Sequence, residues 1–236
     1  MNALPAVAWT LLWGGVVAAD SAAFLQLMLA QPFVAGAVTG ALWGHLALGC
    51  ELGAILQLFS LGVLPVGGRA PEDFPVGTVV GVATAAIVTG ANPVASAQGG
   101  PLLFGLFAAF VTALVGRSIL VWLRHRNELL ARWVESELAA GRLSALARAQ
   151  WAGVAQTFAL GVAWTALALT LFSFLGEALF TRAGVAFGRA WQVGSPLVWG
   201  FGIGSVARGL AHGRRARLVF WTSLIAFLAL RLWEAA

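Results

Sequence analysis

Apolar residues run through this chain in long blocks, separated by short polar or proline- and glycine-containing stretches. The blocks fall at residues 4–19, 21–44, 46–66, 76–90, 102–122, 153–175, 193–210 and 218–233. A helix rises about 1.5 Å per residue, so roughly 20 apolar residues cross a bilayer. The pattern predicts an all-α, polytopic helical membrane protein with about seven or eight membrane segments. Several blocks are too short to cross upright, which predicts broken or re-entrant helices. The chain reads as a single membrane domain over 1–236. Its first half, 1–122, carries intramembrane polar positions, 123–151 forms a hydrophilic helical hairpin, and 152–236 supplies C-terminal helices.

The polar positions of the first half are Asp20, Gln26, Gln31-Pro32, His45, Glu51, Gln57 and Pro71-Glu72-Asp73. Hydrocarbon offers no water to a carboxylate or an amide, so such groups mark a solvated cavity or a substrate path. Pro32 lacks an N–H and disfavours helix at the residue before it, which frees carbonyls near Leu27 and Met28. The run 21–31 is therefore expected to be a half-helix ending at a structural break; the plainer alternative is a proline kink in one continuous helix. Free backbone groups survive in a membrane only when buried in protein or lining a wet cavity. Gly36, Gly40 and Gly44, continued by Gly49 and Gly53, present a flat face that lets another helix approach closely.

The stretch 123–151 differs in kind. Arg124, Arg126, Arg132, Arg142 and Arg148 alternate with Glu128, Glu135 and Glu137, and Leu123, Leu130, Val134 and Leu138 recur at helical spacing. Arg124–Glu128 and Glu128–Arg132 are i,i+4 pairs that support an exposed helix. Gly141 is expected to end the first helix, giving a cytoplasmic hairpin lying on the membrane, either as a solvated connector or as a docking surface. A second arginine cluster, Arg208 to Arg217, also belongs on the cytoplasmic side by the positive-inside rule. Two crossings at 153–175 and 193–210 would join the clusters, leaving 176–192 external or interfacial and Glu234 outside.

Composition supports the membrane. Sixty per cent of the 236 residues are hydrophobic and ten per cent charged, whereas a soluble domain needs about a quarter charged. All fourteen basic residues are arginine, and their placement between apolar runs argues for membrane topology over nucleic-acid binding. Met-Asn-Ala-Leu-Pro lacks a basic n-region, so the first block is expected to be a retained helix. One cysteine, Cys50, excludes an intrachain disulfide and a cysteine zinc site. No nucleotide loop, zinc-protease or nucleophile-elbow motif occurs, and the three histidines are far apart. No catalytic residue, metal site or cofactor is expected. Asp20, Gln26, Gln57, Asn92 and Gln98 are instead suited to a neutral polyhydroxylated ligand, since carboxylates accept from hydroxyls and amides both donate and accept.

Residues 14–73 carry a resemblance. The run Gly14-Gly15 to Asp20, Phe24-Leu25-Gln26-Leu27 and Gln31-Pro32-Phe33-Val34-Ala35-Gly36 is followed by Gly40-Ala41-Leu42-Trp43-Gly44. Gly53-Ala54-Ile55-Leu56-Gln57-Leu58, Leu61 to Gly68 and Pro71-Glu72-Asp73 complete it. In order and spacing this resembles the N-terminal half of the IIC subunits of the mannose/fructose/sorbose class of bacterial phosphotransferase systems. The resemblance implies a sugar-translocating subunit of the bacterial inner membrane, without catalytic residues of its own. It would work in a homo- or hetero-oligomer with a IID membrane subunit and soluble IIA and IIB phosphocarriers. Sugar contacts would come from the N-terminal polar set, in which Asp20, Gln26 and Pro32 match the family's pattern; taken with the residue chemistry above, the candidate substrate-binding positions are Asp20, Gln26, Gln57, Glu72, Asp73 and Asn92, with Pro32 as the structural break.

Two departures stand out. Gln57 occupies a position where such subunits usually carry glutamate, and Gly44-His45 stands where they commonly read Leu-Gly-Asp. An amide keeps hydrogen-bonding reach but loses a charge-assisted acceptor, about twice as strong as a neutral one. Two readings follow: a sugar porter, or a degenerate membrane scaffold that senses or anchors phosphotransferase proteins without transport.

Overall fold

The computed structural model describes residues 3–24, 26–62, 71–90, 93–210 and 214–235. Eight helices occur among them: α1 (Ala3–Ala22), α2 (Pro32–Leu42), α3 (Leu46–Leu61), α4 (Phe74–Thr89), α5 (Pro93–Ala97), α6 (Gly100–Ala139), α7 (Ser144–Leu210) and α8 (Arg214–Ala235). No strand is present among the described residues. Helices α1, α6 and α7 are long and apolar enough to cross a membrane. The protein is an all-α polytopic membrane protein, as the block pattern predicts.

The expected half-helix over 21–31 is not formed. Helix α1 continues through Asp20 to Ala22, residues 26–31 are irregular, and α2 opens directly at Pro32. Pro32 is thus a helix start and neither ends a half-helix nor kinks a continuous one. The reason is local: Gln31 is extended (φ −66°, ψ 129°), the conformation proline imposes on its predecessor, and a proline ring is preorganised for the first helical turn. The Met28 carbonyl, expected to be free, accepts from the Gln31 N–H at 3.1 Å.

Helices α2 and α3 form a tight antiparallel hairpin. At 1.5 Å per residue they reach only about 16 and 24 Å, short of the roughly 30 Å of a hydrocarbon core. Their packing surface is glycine. A Cβ on Gly36 would lie 2.6 Å from the Gly49 carbonyl oxygen, and one on Gly53 would lie 2.8 Å from that of Pro32. The two backbones touch where the regular small-residue spacing predicts. At the tip Gly44 takes a left-handed φ of 73°, and the His45 N–H returns to the Gly40 carbonyl at 2.7 Å. Trp43 anchors the tip to α1, its indole N–H donating to Thr10 Oγ1 at 2.9 Å. Pro32 and Leu61 therefore share the open end of the hairpin.

Helix α4 is the core element, with thirteen of its sixteen residues buried. It crosses α6 on glycines: a Cβ at Gly77 would meet the Ala109 carbonyl oxygen at 2.6 Å and one at Gly81 that of Gly105 at 2.5 Å. Around Phe104 the rings of Phe172, Phe180 and Phe187 pack mostly edge to face, at 5.7 to 6.5 Å between centroids.

The polar stretch from 123 continues α6, which carries its apolar segment without interruption into the charged one and ends at Ala139; α7 opens at Ser144, so the hairpin expected over 123–151 is built from the ends of two long helices. No glycine or proline falls between Arg117 and Ala140, and the residues there are mostly strong helix formers. The turn comes at Gly141 (φ 79°), where Arg142 binds Glu137 through two hydrogen bonds of 2.6 and 2.7 Å. Residues 176–192, expected to be external or interfacial, are helical within α7.

Helix α7 nevertheless reverses direction. Trp164 lies beside Gly116, Phe180 and Phe187 against Phe104, and Trp191 against Gly99. Ser205 then hydrogen-bonds the Leu58 carbonyl at 2.9 Å, next to Phe59, whose ring meets Phe110 at 5.0 Å. A straight helix would separate Trp164 from Ser205 by about 60 Å, yet both sit along the 110–116 part of α6. The helix climbs α6 to its N-terminal end and returns. The bend falls between Phe180 and Val198, where Gly184, Gly188, Gly194 and Pro196 weaken the helical ladder. The two limbs correspond to the blocks 153–175 and 193–210.

Candidate functional site

Where the hairpin opens, a cleft of about 440 Å³ forms between the end of α1, the 26–31 stretch, the ends of α2 and α3, and residues 71–75. Asp20 and Ser21 come from α1, Gln26, Met28 and Gln31 from the irregular stretch, Ser60 from α3, and Glu72 and Phe74 from the start of α4. The starts of α2 and α4 both border it, each with proline in its first turn. Most of their first-turn N–H groups are satisfied locally, Phe33 by Gln57 and Val76 by Asp73, so the polarity they lend this wall is that of the aligned peptide dipoles. The cleft lies beside the charged hairpin: Ala22 and Ala23 line a hollow shared with Asn127, Leu130 and Gln150.

Asp20 is almost fully buried, at 5% exposure. Its Oδ1 accepts the Leu27 N–H at 2.6 Å and its Oδ2 the Ala30 N–H at 2.9 Å. The carboxylate therefore organises the stretch that carries Gln26 and Gln31. Within it Gln26 and Met28 adopt left-handed φ values of 50° and 65°, where an L side chain is crowded.

Gln57 stands just behind the cleft wall. Its Nε2 donates to Gln31 Oε1 at 2.7 Å, and its Oε1 accepts the Phe33 N–H at 3.2 Å. The second bond satisfies one of the open donors in the first turn of α2. Glu72 faces the cleft with a carboxylate oxygen 3.9 Å from an Arg117 guanidinium nitrogen. The structure thus gathers Asp20, Gln26, Pro32 and Glu72 in one cleft, with Gln57 one hydrogen bond away.

The other expected positions are elsewhere. Asp73 is buried and turned away from the cleft; it caps α4 by accepting the Val76 N–H at 3.3 Å, and its own N–H donates to the Ala113 carbonyl at 3.0 Å. Asn92 lies outside the described residues. His45 belongs to the hairpin tip, and Gln98 lies against Gly188 near the start of α6, about 25 Å along that helix from Arg117. Sequence reasoning named Gln31 only as the neighbour of the break and did not single out Ser21, Ser60 or Arg117. A long amide just before a proline able to start a helix is the signal that could have singled out Gln31.

Chemically, the cleft offers amides, hydroxyls and a carboxylate beside Met28, Pro32 and Phe74, a mixture that matches hydroxyl groups on an apolar ring. A larger hollow of about 730 Å³ between α3, α6, α7 and α8 is walled mainly by Phe59, Phe107, Phe110, Phe201 and Phe220. It lacks the polar groups needed to orient such a molecule.

The sequence matches known proteins over the same region. Residues 6–182 match the family described as the sorbose-specific IIC component of the PTS system. The chain is also similar to a putative N-acetylgalactosamine permease IIC component 2 from Escherichia coli (strain K12). The two are 38% identical over 63 residues, 27% of this chain and 47% of the relative, so the match spans about half the relative's length. The family match includes every described residue of the cleft, the charged hairpin and the first limb of α7, and by it this chain belongs to the sorbose-specific IIC component family of phosphotransferase systems.

Proposed function

We propose that the protein is the sugar-translocating membrane subunit of a phosphoenolpyruvate-dependent phosphotransferase system. It binds a neutral hexose-type sugar in the cleft and passes it inward together with a IID membrane subunit, while soluble IIA and IIB proteins supply the phosphate. The observation that carries this reading is the convergence of Asp20, Gln26, Gln31 and Glu72 at the open end of the α2–α3 hairpin. Discontinuous helices of this kind place substrate sites in transporters. By the positive-inside rule the arginine-bearing hairpin lies in the cytoplasm, and the cleft at its base then faces inward in a multi-pass protein of the bacterial inner membrane. Gln57 favours transport over a scaffold role, because it still joins the cleft through its bonds with Gln31 and the Phe33 N–H.

The relative's name adds one sugar to the set to be tested, N-acetylgalactosamine. An acetamido group would find amide partners in Gln26 and Gln31. The test is uptake of labelled hexoses and N-acetylhexosamines in cells carrying the partner subunits, with and without phosphoenolpyruvate-derived phosphate. Phosphate-dependent accumulation is expected for at least one of them. A correctly inserted protein that takes up and binds none of these sugars would overturn the reading.

A further inference from the structure

We propose that Asp20 is a positioning residue: it latches the stretch between α1 and α2 into the shape that presents Gln26 and Gln31 to the cleft, and it does not hold the sugar itself. This rests on the sugar-binding reading of the same cleft. Both carboxylate oxygens are committed to backbone N–H groups, those of Leu27 and Ala30, seven and ten residues further along the chain. At 5% exposure the group has little surface left for a ligand.

The stretch needs a latch because it is strained. Gln26 and Met28 hold left-handed φ values on either side of Leu27, a conformation that glycine adopts freely and other residues resist. Among the described residues its own backbone bonds are Gln26 N–H to the Phe24 carbonyl at 2.8 Å and Gln31 N–H to that of Met28 at 3.1 Å. Releasing either Asp20 bond lets the backbone relax and swings Gln26 and Gln31 out of register. A carboxylate is required, since it accepts at both oxygens. An asparagine accepts at one atom only and would turn its own NH₂ donor against the second N–H.

The experiment uses the full chain purified in lipid nanodiscs, comparing wild type, Asp20→Asn, Met28→Gly and the double variant by amide hydrogen exchange and sugar-binding titration. Asp20→Asn is expected to speed exchange across residues 26–31 and to weaken binding by about tenfold or more, the scale of one lost charge-assisted bond. Because Met28 itself lines the cleft, the double variant is compared with Met28→Gly alone: in that background Asp20→Asn should cost little affinity, since glycine takes the left-handed φ without the latch. Unchanged exchange in Asp20→Asn overturns the latch. Faster exchange together with the same loss of affinity in the Met28→Gly background overturns the positioning role and makes Asp20 a direct sugar contact. If the wild type binds no sugar, the transport reading has failed, and exchange across 26–31 by itself decides the latch: faster supports it, unchanged overturns it.

Discussion

Gln57, near the end of α3, donates its carboxamide N–H to the side-chain oxygen of Gln31 at 2.7 Å, tying that helix to the residue just before α2. The pair closes the open end of a hairpin whose two helices otherwise meet backbone to backbone on glycine. It also fixes the direction of one cleft-lining amide, so residue 57 reaches the site through Gln31. Substituting Gln57→Glu keeps the bond to the Phe33 N–H as a charge-assisted one, and Gln31 can rotate its amide to donate in return. Sugar affinity should rise by about threefold to tenfold, measured by calorimetric titration, with the fold intact. No change in affinity would show that residue 57 does not tune the site. Gln57→Leu should instead cost about 1 kcal/mol through loss of the helix-start partner.

The hairpin's dependence on glycine gives a sharper expectation. At Gly49 an added methyl runs into the Gly36 carbonyl oxygen and lies 2.8 Å from the Gly40 Cα, with rigid backbone on both sides. Gly49→Ala should destabilise by about 1–3 kcal/mol, the usual cost of overpacking, seen as a lowered midpoint in thermal unfolding. Gly90→Ala is the control, since nothing lies within 4 Å of that position. Equal midpoints for the two variants would refute tight α2–α3 packing.

Trp43 tests how the hairpin tip is held. Thr10 is fully buried in α1, donates to the Ala6 carbonyl at 2.7 Å, and accepts from the Trp43 indole. Trp43→Phe leaves most of the ring packing in place and removes only the donor. A loss of about 1 kcal/mol is expected. A double-mutant cycle with Thr10→Val should return a coupling of about 0.5 kcal/mol or more; strictly additive effects would mean the bond contributes nothing.

The charged hairpin should loosen in acid. Arg142, through its hydrogen bonds and its charge, holds the partly exposed Glu137 carboxyl below the ordinary glutamate range. A folded-state pKa below the unfolded one gives stability that is complete above the unfolded value and fades as pH falls through the folded one. Proteolysis at the 140–143 turn should therefore accelerate below the ordinary glutamate range in wild type. Glu137→Gln should show the faster cleavage already at neutral pH and little further pH dependence. The effect is small because the pair lies at the surface, with Arg142 open to solvent.

Much of the architecture can be read from residue order. Block lengths predict most of the helices, glycine spacing predicts a face for close helix packing without naming the partner, and Gly141 predicts the turn between α6 and α7. The break at Pro32 is visible in the sequence, but its sense is not: proline both ends and begins helices, and only the fold shows that it begins one here. The polar string likewise contains Asp20, Gln26, Gln57 and Glu72, without distinguishing them from Asp73, which caps α4 and faces α6.

Hydrophobic pattern and backbone rules act over a few residues, and for that reason the sequence alone determined the all-α membrane class, the short helices and the positions of the turns. The reversal of α7 was decided by tertiary packing, since a weakened helical segment bends only where Phe104 and Leu58 give its two limbs something to pack against. The gathering of Asp20, Gln31 and Glu72 into one cleft was decided the same way. Their separation along the chain is closed by glycine faces and by single hydrogen bonds, whose partners cannot be known until the backbones meet.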